Sequence, residues 1–120
     1  MKKILCVDDE PINLMIIEVN LMAEGYEVYK ATDGSAALQL VKEIKPQLVL
    51  LDIMMPGISG IETLKEIKKI DPNIPVIMVT GVSDEATAKS AIDLGAYDYV
   101  KKPIDFNYLN TTILKKLVQG

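Results

Sequence analysis

The chain has 120 residues, is 49% hydrophobic and carries a formal net charge of −4 at pH 7. This length suits one domain, spanning 1–120, and the acidic balance argues against a general nucleic-acid or anionic-membrane surface, which needs a basic excess. All 13 cationic residues are lysines and histidine is absent, so the chain has no imidazole base and any phosphoryl donor must come from outside.

The cysteine content and the N-terminus bear on the cellular compartment. The single cysteine, Cys6, lies inside the first apolar run, so an intramolecular disulfide is impossible and a core position is expected. No signal peptide precedes that run, and no apolar stretch approaches the roughly 20 residues of a membrane span. We therefore predict a cytoplasmic protein that does not enter the membrane.

Short apolar runs alternate along the chain with longer segments of helical periodicity. The runs are typical of β-strands and lie at 4–7, 27–31, 48–51, 75–80 and 97–100. The segments that follow them place apolar residues three or four apart, as one helical face requires: Leu14, Ile17, Leu21; Leu38, Val41, Ile44; Ile61, Leu64, Ile67, Ile70; Ala88, Ala91, Ile92; and Leu109, Ile113, Leu117. The order predicts five consecutive strand–helix units.

The strand composition indicates how these units pack. The first, third and fourth runs are apolar on both faces, which suits a parallel sheet covered by helices on either side. The predicted fold class is therefore α/β, with a doubly wound five-stranded parallel sheet. In such sheets ligands bind at the carboxyl ends of the strands, where the strand order reverses.

Polar residues follow four of the predicted strands at that edge. Asp8 and Asp9 follow the first strand, Asp52 the third, Thr80 ends the fourth and Lys102 follows the fifth. Each residue alone is more often a turn former, a helix cap or a solvated lysine, but their coincidence at four strand ends favours a site. Because adjacent carboxylates repel one another, the acidic group needs a cation, either a lysine or a metal ion.

These residue types support phosphoryl chemistry. Asp9 and Asp52 offer the carboxylate oxygens that Mg²⁺ prefers. Asp52 stands between the acid pair and Lys102, so it is the candidate nucleophile that would form an acyl phosphate. Lys102 would supply a positive charge to the phosphoryl group, and the Thr80 hydroxyl could donate a hydrogen bond to one of its oxygens.

Four ordered motifs, "VDDE", "LLDIMMPGISG", "VTG" and "GAYDYVKKPI", resemble the receiver domains of bacterial two-component response regulators. The resemblance covers essentially the whole chain. It implies a flavodoxin-like strand order of 2-1-3-4-5 and a phosphorylation-activated signalling switch rather than an enzyme acting on separate substrates.

The resemblance also assigns roles to the site residues. It implies that Asp52 accepts a phosphoryl group from a histidine kinase or phosphotransfer protein. Mg²⁺ would be held by Asp8, Asp9, Asp52 and the backbone carbonyl of Met54, and Lys102 would contact the phosphoryl group.

The same resemblance implies a switch. Thr80 and Tyr99 would move together on phosphorylation and reshape the face formed by the fourth helix, fifth strand and fifth helix. A downstream output domain or protein, or a second copy of the chain, would bind there. The peptide bond between Lys102 and Pro103 is expected to be cis.

Two positions that vary among receiver domains are apolar in this sequence. Met54 lies two residues after Asp52, and Val82 lies two residues after Thr80. Neither side chain can orient an attacking water, so we predict slow self-dephosphorylation.

Three other functions are compatible with parts of the pattern. A flavodoxin-like electron carrier shares the sheet, but the run Asp8, Asp9 and Glu10 would repel its flavin phosphate. A haloacid-dehalogenase-type phosphatase needs a second acid two residues after the nucleophile, where this chain has Met54. The runner-up is a binding module that keeps the fold and signals without phosphorylation, although all the acceptor residues are present.

Overall fold

The computed structural model describes residues 1–55, 57–81 and 85–119. Five strands alternate with five helices in these residues, which confirms the predicted strand–helix order. The elements are β1 (Lys3–Val7), α1 (Pro11–Ala23), β2 (Glu27–Ala31), α2 (Gly34–Ile44), β3 (Leu48–Asp52), α3 (Gly60–Ile70), β4 (Val76–Thr80), α4 (Glu85–Asp93), β5 (Asp98–Lys101) and α5 (Phe106–Gln119).

The five strands form one parallel sheet in the order β2-β1-β3-β4-β5, as predicted. Val7 pairs with Leu51 across β1 and β3, and Asp52 pairs with Val79 across β3 and β4. Strand β2 lies on one side of β1, and β3 lies on the other side. The carboxyl ends of β1 and β3 therefore border the point where the strand order reverses.

Two apolar clusters cover the two faces of the sheet. One cluster joins the sheet to α2, α3 and α4, and the other joins it to α1 and α5. Every residue of β3 and β4 is buried, because helices cover both faces of these central strands. This two-sided burial fixes the carboxyl ends of the strands relative to one another.

Local signals set the helix boundaries next to that edge. The Asp33 carboxylate accepts from the Ala36 N–H and caps α2, and the Ser59 hydroxyl accepts from the Glu62 N–H and caps α3. Gly60 begins α3 so close to β3 that an added Cβ would lie 2.3 Å from the Asp52 carbonyl oxygen. The β3–α3 connection is therefore held tightly against the end of β3.

The strand boundaries differ from the predicted ones by one residue at several ends. The fifth strand was expected at 97–100 and lies at Asp98–Lys101, because Lys101 still pairs with Thr80 of β4. Backbone pairing continues there irrespective of side-chain polarity, whereas the prediction rested on an apolar run.

Among the described residues, no helix combines the length and apolar character needed to cross a bilayer.

Candidate functional site

Two buried carboxylates share one ammonium group at the carboxyl edge of the sheet. The Lys102 Nζ lies 3.1 Å from Asp52 Oδ2 and 3.5 Å from Asp8 Oδ2. Asp8 is 2% exposed and Asp52 is 4% exposed, although both side chains are polar. Three of the predicted site residues, which end or follow three different strands, therefore meet in one place.

Backbone hydrogen bonds hold these side chains in position. One oxygen of Asp8 accepts from the Glu10 N–H at 2.9 Å, and Asp52 Oδ1 accepts from the Met54 N–H at 3.3 Å. The Lys102 N–H donates to the Thr80 carbonyl at 2.8 Å, which extends the pairing of β4 and β5 by one residue. Each functional side chain is thus fixed through a strand end and the loop that follows it.

The charged form is disfavoured at Asp52 and favoured at Lys102. Burial, and then the charge of Asp8, raise the pKa of the Asp52 carboxyl, and the bonds from Lys102 and Met54 offset this only in part. Burial alone would lower the pKa of Lys102, but Asp52 and Asp8 outweigh it and raise that pKa. One ammonium therefore gains from two carboxylates, while the carboxylates still repel each other and favour a further cation.

An acidic group lies beside this trio at the end of β1. The carboxylate oxygens of Asp8, Asp9 and Glu10 lie within 4.8 Å of one another, and Asp9 and Glu10 are exposed. Carboxylate oxygens partly open to water are the donors that Mg²⁺ prefers, so this donor set fits such an ion. Glu10 was not assigned as a ligand from the sequence, although its place in the acidic run was the available signal.

The two expected switch residues lie in different environments. Thr80 is fully buried, and its hydroxyl donates to the Gly81 carbonyl at 3.1 Å rather than to Asp52. Tyr99 is half-buried and packs against the apolar cluster beneath α2, α3 and α4. The structure therefore places Thr80 at the strand end next to the site and Tyr99 one strand away.

A cavity adjoins the trio that the sequence did not reveal. It has a volume of about 220 Å³ and is bordered by both polar and apolar residues: Asp8, Asn13, Ile16, Ile17, Lys102, Pro103, Ile104 and Phe106. The apolar lining continues onto an exposed face of α1, which we call the outer face; it consists of Ile12, Met15, Ile16, Val19 and Met22. The signal was the surplus of apolar residues in α1 beyond the buried stripe of Leu14, Ile17 and Leu21, which the helical spacing alone does not interpret.

A second cavity of about 460 Å³ lies beside β5 and the start of α5. Tyr99 lines it together with Asp98 and Tyr108, and the Tyr108 hydroxyl donates to Asp98 Oδ2 at 2.5 Å. This bond between strand and helix was not predicted, because it depends on how α5 packs against β5 rather than on local sequence.

Two remaining expectations have different outcomes. The peptide bond between Lys102 and Pro103 is cis, as predicted. Val82, the second apolar position expected to slow dephosphorylation, lies outside the residues that the structure describes. The side chain of Met54, the first such position, is 65% exposed.

Comparisons with known proteins agree with this geometry. Residues 4–114 match the family model of the response regulator receiver domain. The chain is 45% identical over 114 residues to the transcriptional regulatory protein ZraR of Klebsiella oxytoca. That alignment covers 95% of this chain and 26% of ZraR, so the chain spans about a quarter of the length of this curated relative.

Solved structures of similar proteins superpose closely. A response regulator receiver domain protein from Clostridium thermocellum is 35% identical with a TM-score of 0.95, and the match covers 99% of this chain and 96% of that one. The receiver domain of NtrX from Brucella abortus is 38% identical with a TM-score of 0.93, covering 98% of this chain and 99% of that one.

Proposed function

Because the chain belongs to the receiver domains of two-component response regulators, we propose that it is a phosphorylation-activated switch with Asp52 as its acceptor. The observation that carries the proposal is the buried Asp52 carboxylate, held 3.1 Å from the Lys102 ammonium, which also lies 3.5 Å from Asp8. A lysine held in this position can neutralise the charge of phosphoryl oxygens without a rearrangement of its side chain.

The acceptor reaction is a transfer from a phosphohistidine of a kinase or phosphotransfer protein. An Asp52 oxygen attacks the phosphorus, the bond from phosphorus to the donor nitrogen breaks, and an acyl phosphate forms. Lys102 stays positively charged at neutral pH, because its neighbouring carboxylates raise its pKa. It can therefore stabilise the charge on the phosphoryl group as it is transferred.

Asp8, Asp9 and Asp52, with the backbone carbonyl of Met54, would hold Mg²⁺ in this proposal. The carboxylate oxygens of Asp8 and Asp9 already lie close together with that of Glu10. The ion would supply further positive charge to the phosphoryl oxygens. Without it, Asp8 and Asp52 share a single lysine.

The donor protein, we infer, binds the outer face of α1. This face is continuous with the 220 Å³ cavity, which Ile16 shares with Asp8 and Lys102. A protein that brings a phosphohistidine to Asp52 must contact the surface next to the acceptor. Exposed apolar side chains there, such as Val19 at 65% exposure, suit such a partner.

Signal output would leave through a different face. In the proposal, the Thr80 hydroxyl turns from the Gly81 carbonyl toward the phosphoryl oxygens, and Tyr99 shifts with it. Tyr99 lines the cavity beside β5 and α5, so its movement would reshape the α4, β5 and α5 face. A downstream domain or protein, or a second copy of the chain, would read that change.

The domain assists its own phosphoryl transfer and loses the group slowly, because Met54 offers no polar atom to orient water. The competing function, a receiver-fold binding module that needs no phosphorylation, would not require a buried trio of Asp8, Asp52 and Lys102, since burying two acids carries a cost in stability.

The proposal is tested with a small phosphoryl donor. After incubation with acetyl phosphate and Mg²⁺, we expect the intact mass of the wild type to increase by one phosphoryl group. Asp52→Asn should show no increase, and the control Asp98→Asn should behave as the wild type, because Asp98 bonds to Tyr108 rather than to Lys102. A wild type that takes up no phosphoryl group would favour the binding module.

A further inference from the structure

An exposed methionine, Met54, has its backbone bonded to the proposed acceptor carboxylate. Met54 follows Asp52 by two residues, and its backbone N–H donates to Asp52 Oδ1 at 3.3 Å. Its side chain is 65% exposed, whereas the neighbouring Met55 is partly buried against the apolar core. The Met54 residue is therefore largely open to solvent, while its backbone is bonded to the carboxylate proposed to carry the phosphoryl group.

The other sulfur atoms are either buried or belong to parts of the chain other than the β3–α3 connection. Cys6 is fully buried, and burial raises its pKa, so the reactive thiolate is scarce. Met78 is also fully buried, in β4. Met1, Met15 and Met22 are exposed, but Met1 is the first residue of the chain and Met15 and Met22 lie on the outer face of α1. Among the described residues, Met54 is the exposed methionine whose backbone bonds to the acceptor carboxylate.

We propose that Met54 is a modification site, at which oxidation by a peroxide to the sulfoxide shortens the lifetime of phosphorylated Asp52. This inference rests on the proposed function of Asp52 as acceptor. It adds a redox input that would switch off the phosphorylated state faster than unmodified Met54 allows.

The oxidation is a balanced two-electron step. The sulfur lone pair attacks one oxygen of the peroxide, an S–O bond forms and the O–O bond breaks. With hydrogen peroxide, the departing hydroxide takes the proton from the transferred oxygen and leaves as water. Sulfur is oxidised and the peroxide is reduced, and an apolar side chain becomes a polar one.

The sulfoxide changes what the side chain can do for hydrolysis. Its oxygen accepts a hydrogen bond, so it can orient a water toward the phosphorus, which the thioether cannot do effectively. The water oxygen then bonds to phosphorus, the bond to the Asp52 oxygen breaks, and the released phosphate retains the water's protons. We expect hydrolysis to become about tenfold faster.

Oxidation is measured first, without donor or Mg²⁺. The protein is treated with hydrogen peroxide, catalase removes the excess, and peptide mass spectrometry locates the sulfoxide. We expect oxidation at Met54, Met15 and Met22 but not at Met78, whose protection shows that the fold is intact. A Met54 that stays reduced while Met15 and Met22 are oxidised would overturn the inference.

Decay of the phosphorylated state is then compared before and after oxidation. We expect faster decay in the wild type, restored by methionine sulfoxide reductase, and no response to peroxide in Met54→Leu. Met54→Gln, which carries a polar oxygen permanently, should decay fast without peroxide. Because Met54→Leu retains the exposed Met15 and Met22, a response to peroxide that is confined to the wild type assigns the effect to Met54.

The outcomes separate the two proposals. Failure of the wild type to take up a phosphoryl group contradicts the assigned function of Asp52. Normal uptake followed by the same decay with reduced and oxidised Met54 overturns the redox inference alone.

Discussion

Asp52 carries a charge that the folded chain disfavours. The carboxylate is 4% exposed and Asp8 repels it, while Lys102 is shared between the two acids. Its pKa is raised, so the native state binds a proton at Asp52 more firmly than the unfolded chain does. As the pH rises from the ordinary carboxyl range through the raised pKa, the ionisation of Asp52 therefore lowers the stability of the folded state.

Asp52→Asn should therefore stabilise the metal-free protein at neutral pH. A gain of about 1 kcal/mol would raise Tm by about 4 °C in a domain of this size. The gain should shrink as the pH falls from neutral through the raised pKa into the ordinary carboxyl range, because Asp52 regains its proton and the repulsion ends. The measurement is Tm of both proteins in a chelator across this pH range.

A matched control removes a carboxylate far from the site. Glu66 lies on α3, forms an exposed ion pair with Lys69 at 2.9 Å, and contributes little to stability. Glu66→Gln should leave Tm nearly unchanged across the pH range from neutral to the ordinary carboxyl range. Equal stabilities of wild type and Asp52→Asn at neutral pH would show that Asp52 is not held at a cost.

The Thr80 hydroxyl is proposed to transmit the effect of phosphorylation and not to be needed for acceptance of the phosphoryl group. Thr80→Ala should still be phosphorylated, because the hydroxyl bonds to Gly81 and not to Asp52. Phosphorylation should change the rate of amide hydrogen exchange in β5 and α5 of the wild type. This change should be lost in Thr80→Ala. Exchange is measured on peptides with and without acetyl phosphate.

Thr63→Ala is the matched control for this experiment. Thr63 is also fully buried, but it lies on α3 and its hydroxyl donates to the Ser59 carbonyl at 2.8 Å. Its variant should keep the exchange response of the wild type. A full response in Thr80→Ala would exclude the hydroxyl as the connection between acceptor and output face.

At the scale of elements, α1 has two apolar faces with different roles. One face, including Leu14, Ile17 and Leu21, is buried against the sheet. The outer face remains exposed within the described chain and leads to the cavity beside Asp8 and Lys102. Packing against the sheet accounts for the first face, and the proposed binding of a donor would account for the second.

Val19→Asp on the outer face should slow phosphoryl transfer from a protein donor at least tenfold, which corresponds to about 1.4 kcal/mol of lost binding. Phosphorylation by acetyl phosphate should be unchanged, because the small donor needs no docking surface. The measurement compares initial rates with a phosphorylated histidine phosphotransfer protein that is active on the wild type.

Val118→Asp provides the same substitution at another exposed valine, 74% exposed in the last turn of α5. Helix α5 ends at the edge of the sheet opposite the acceptor, so transfer from the protein donor should not change. If Val19→Asp and Val118→Asp transferred at equal rates, α1 would not be the donor surface.

The elements also show what the sequence could and could not reveal. The central strands β3 and β4 were predictable because both of their faces are apolar, and the site because polar residues end four strands. The outer face of α1 was missed because three-and-four spacing identifies one buried stripe and says nothing about the opposite face. The bond between Asp98 and Tyr108 was missed because it depends on tertiary packing.

At the scale of the whole molecule, the proposed metal site would link ion binding to folding. An ion that binds Asp8, Asp9 and Asp52 only in the folded state adds stability, about 2.7 kcal/mol at a concentration 100 times Kd. Mg²⁺ should therefore raise Tm of the wild type, and Asp8→Asn/Asp9→Asn should lose most of this increase. Scanning calorimetry with and without Mg²⁺ measures both.

Charge removal away from the site is the control for the metal experiment. Glu43→Gln/Glu66→Gln makes the same change in net charge on α2 and α3, where both carboxylates are exposed. It should keep the full response to Mg²⁺. Identical Mg²⁺ shifts in the wild type and the aspartate double variant would rule out the proposed metal site.

The most direct measurement locates the phosphoryl group itself. After treatment with acetyl phosphate and Mg²⁺, sodium borohydride reduces an acyl phosphate to the alcohol, which converts the modified aspartate to homoserine. Peptide mass spectrometry should find homoserine at position 52 and nowhere else. Homoserine at Asp8 or Asp9, or its absence from a wild type that has gained a phosphoryl group, would contradict the assignment of Asp52 as acceptor.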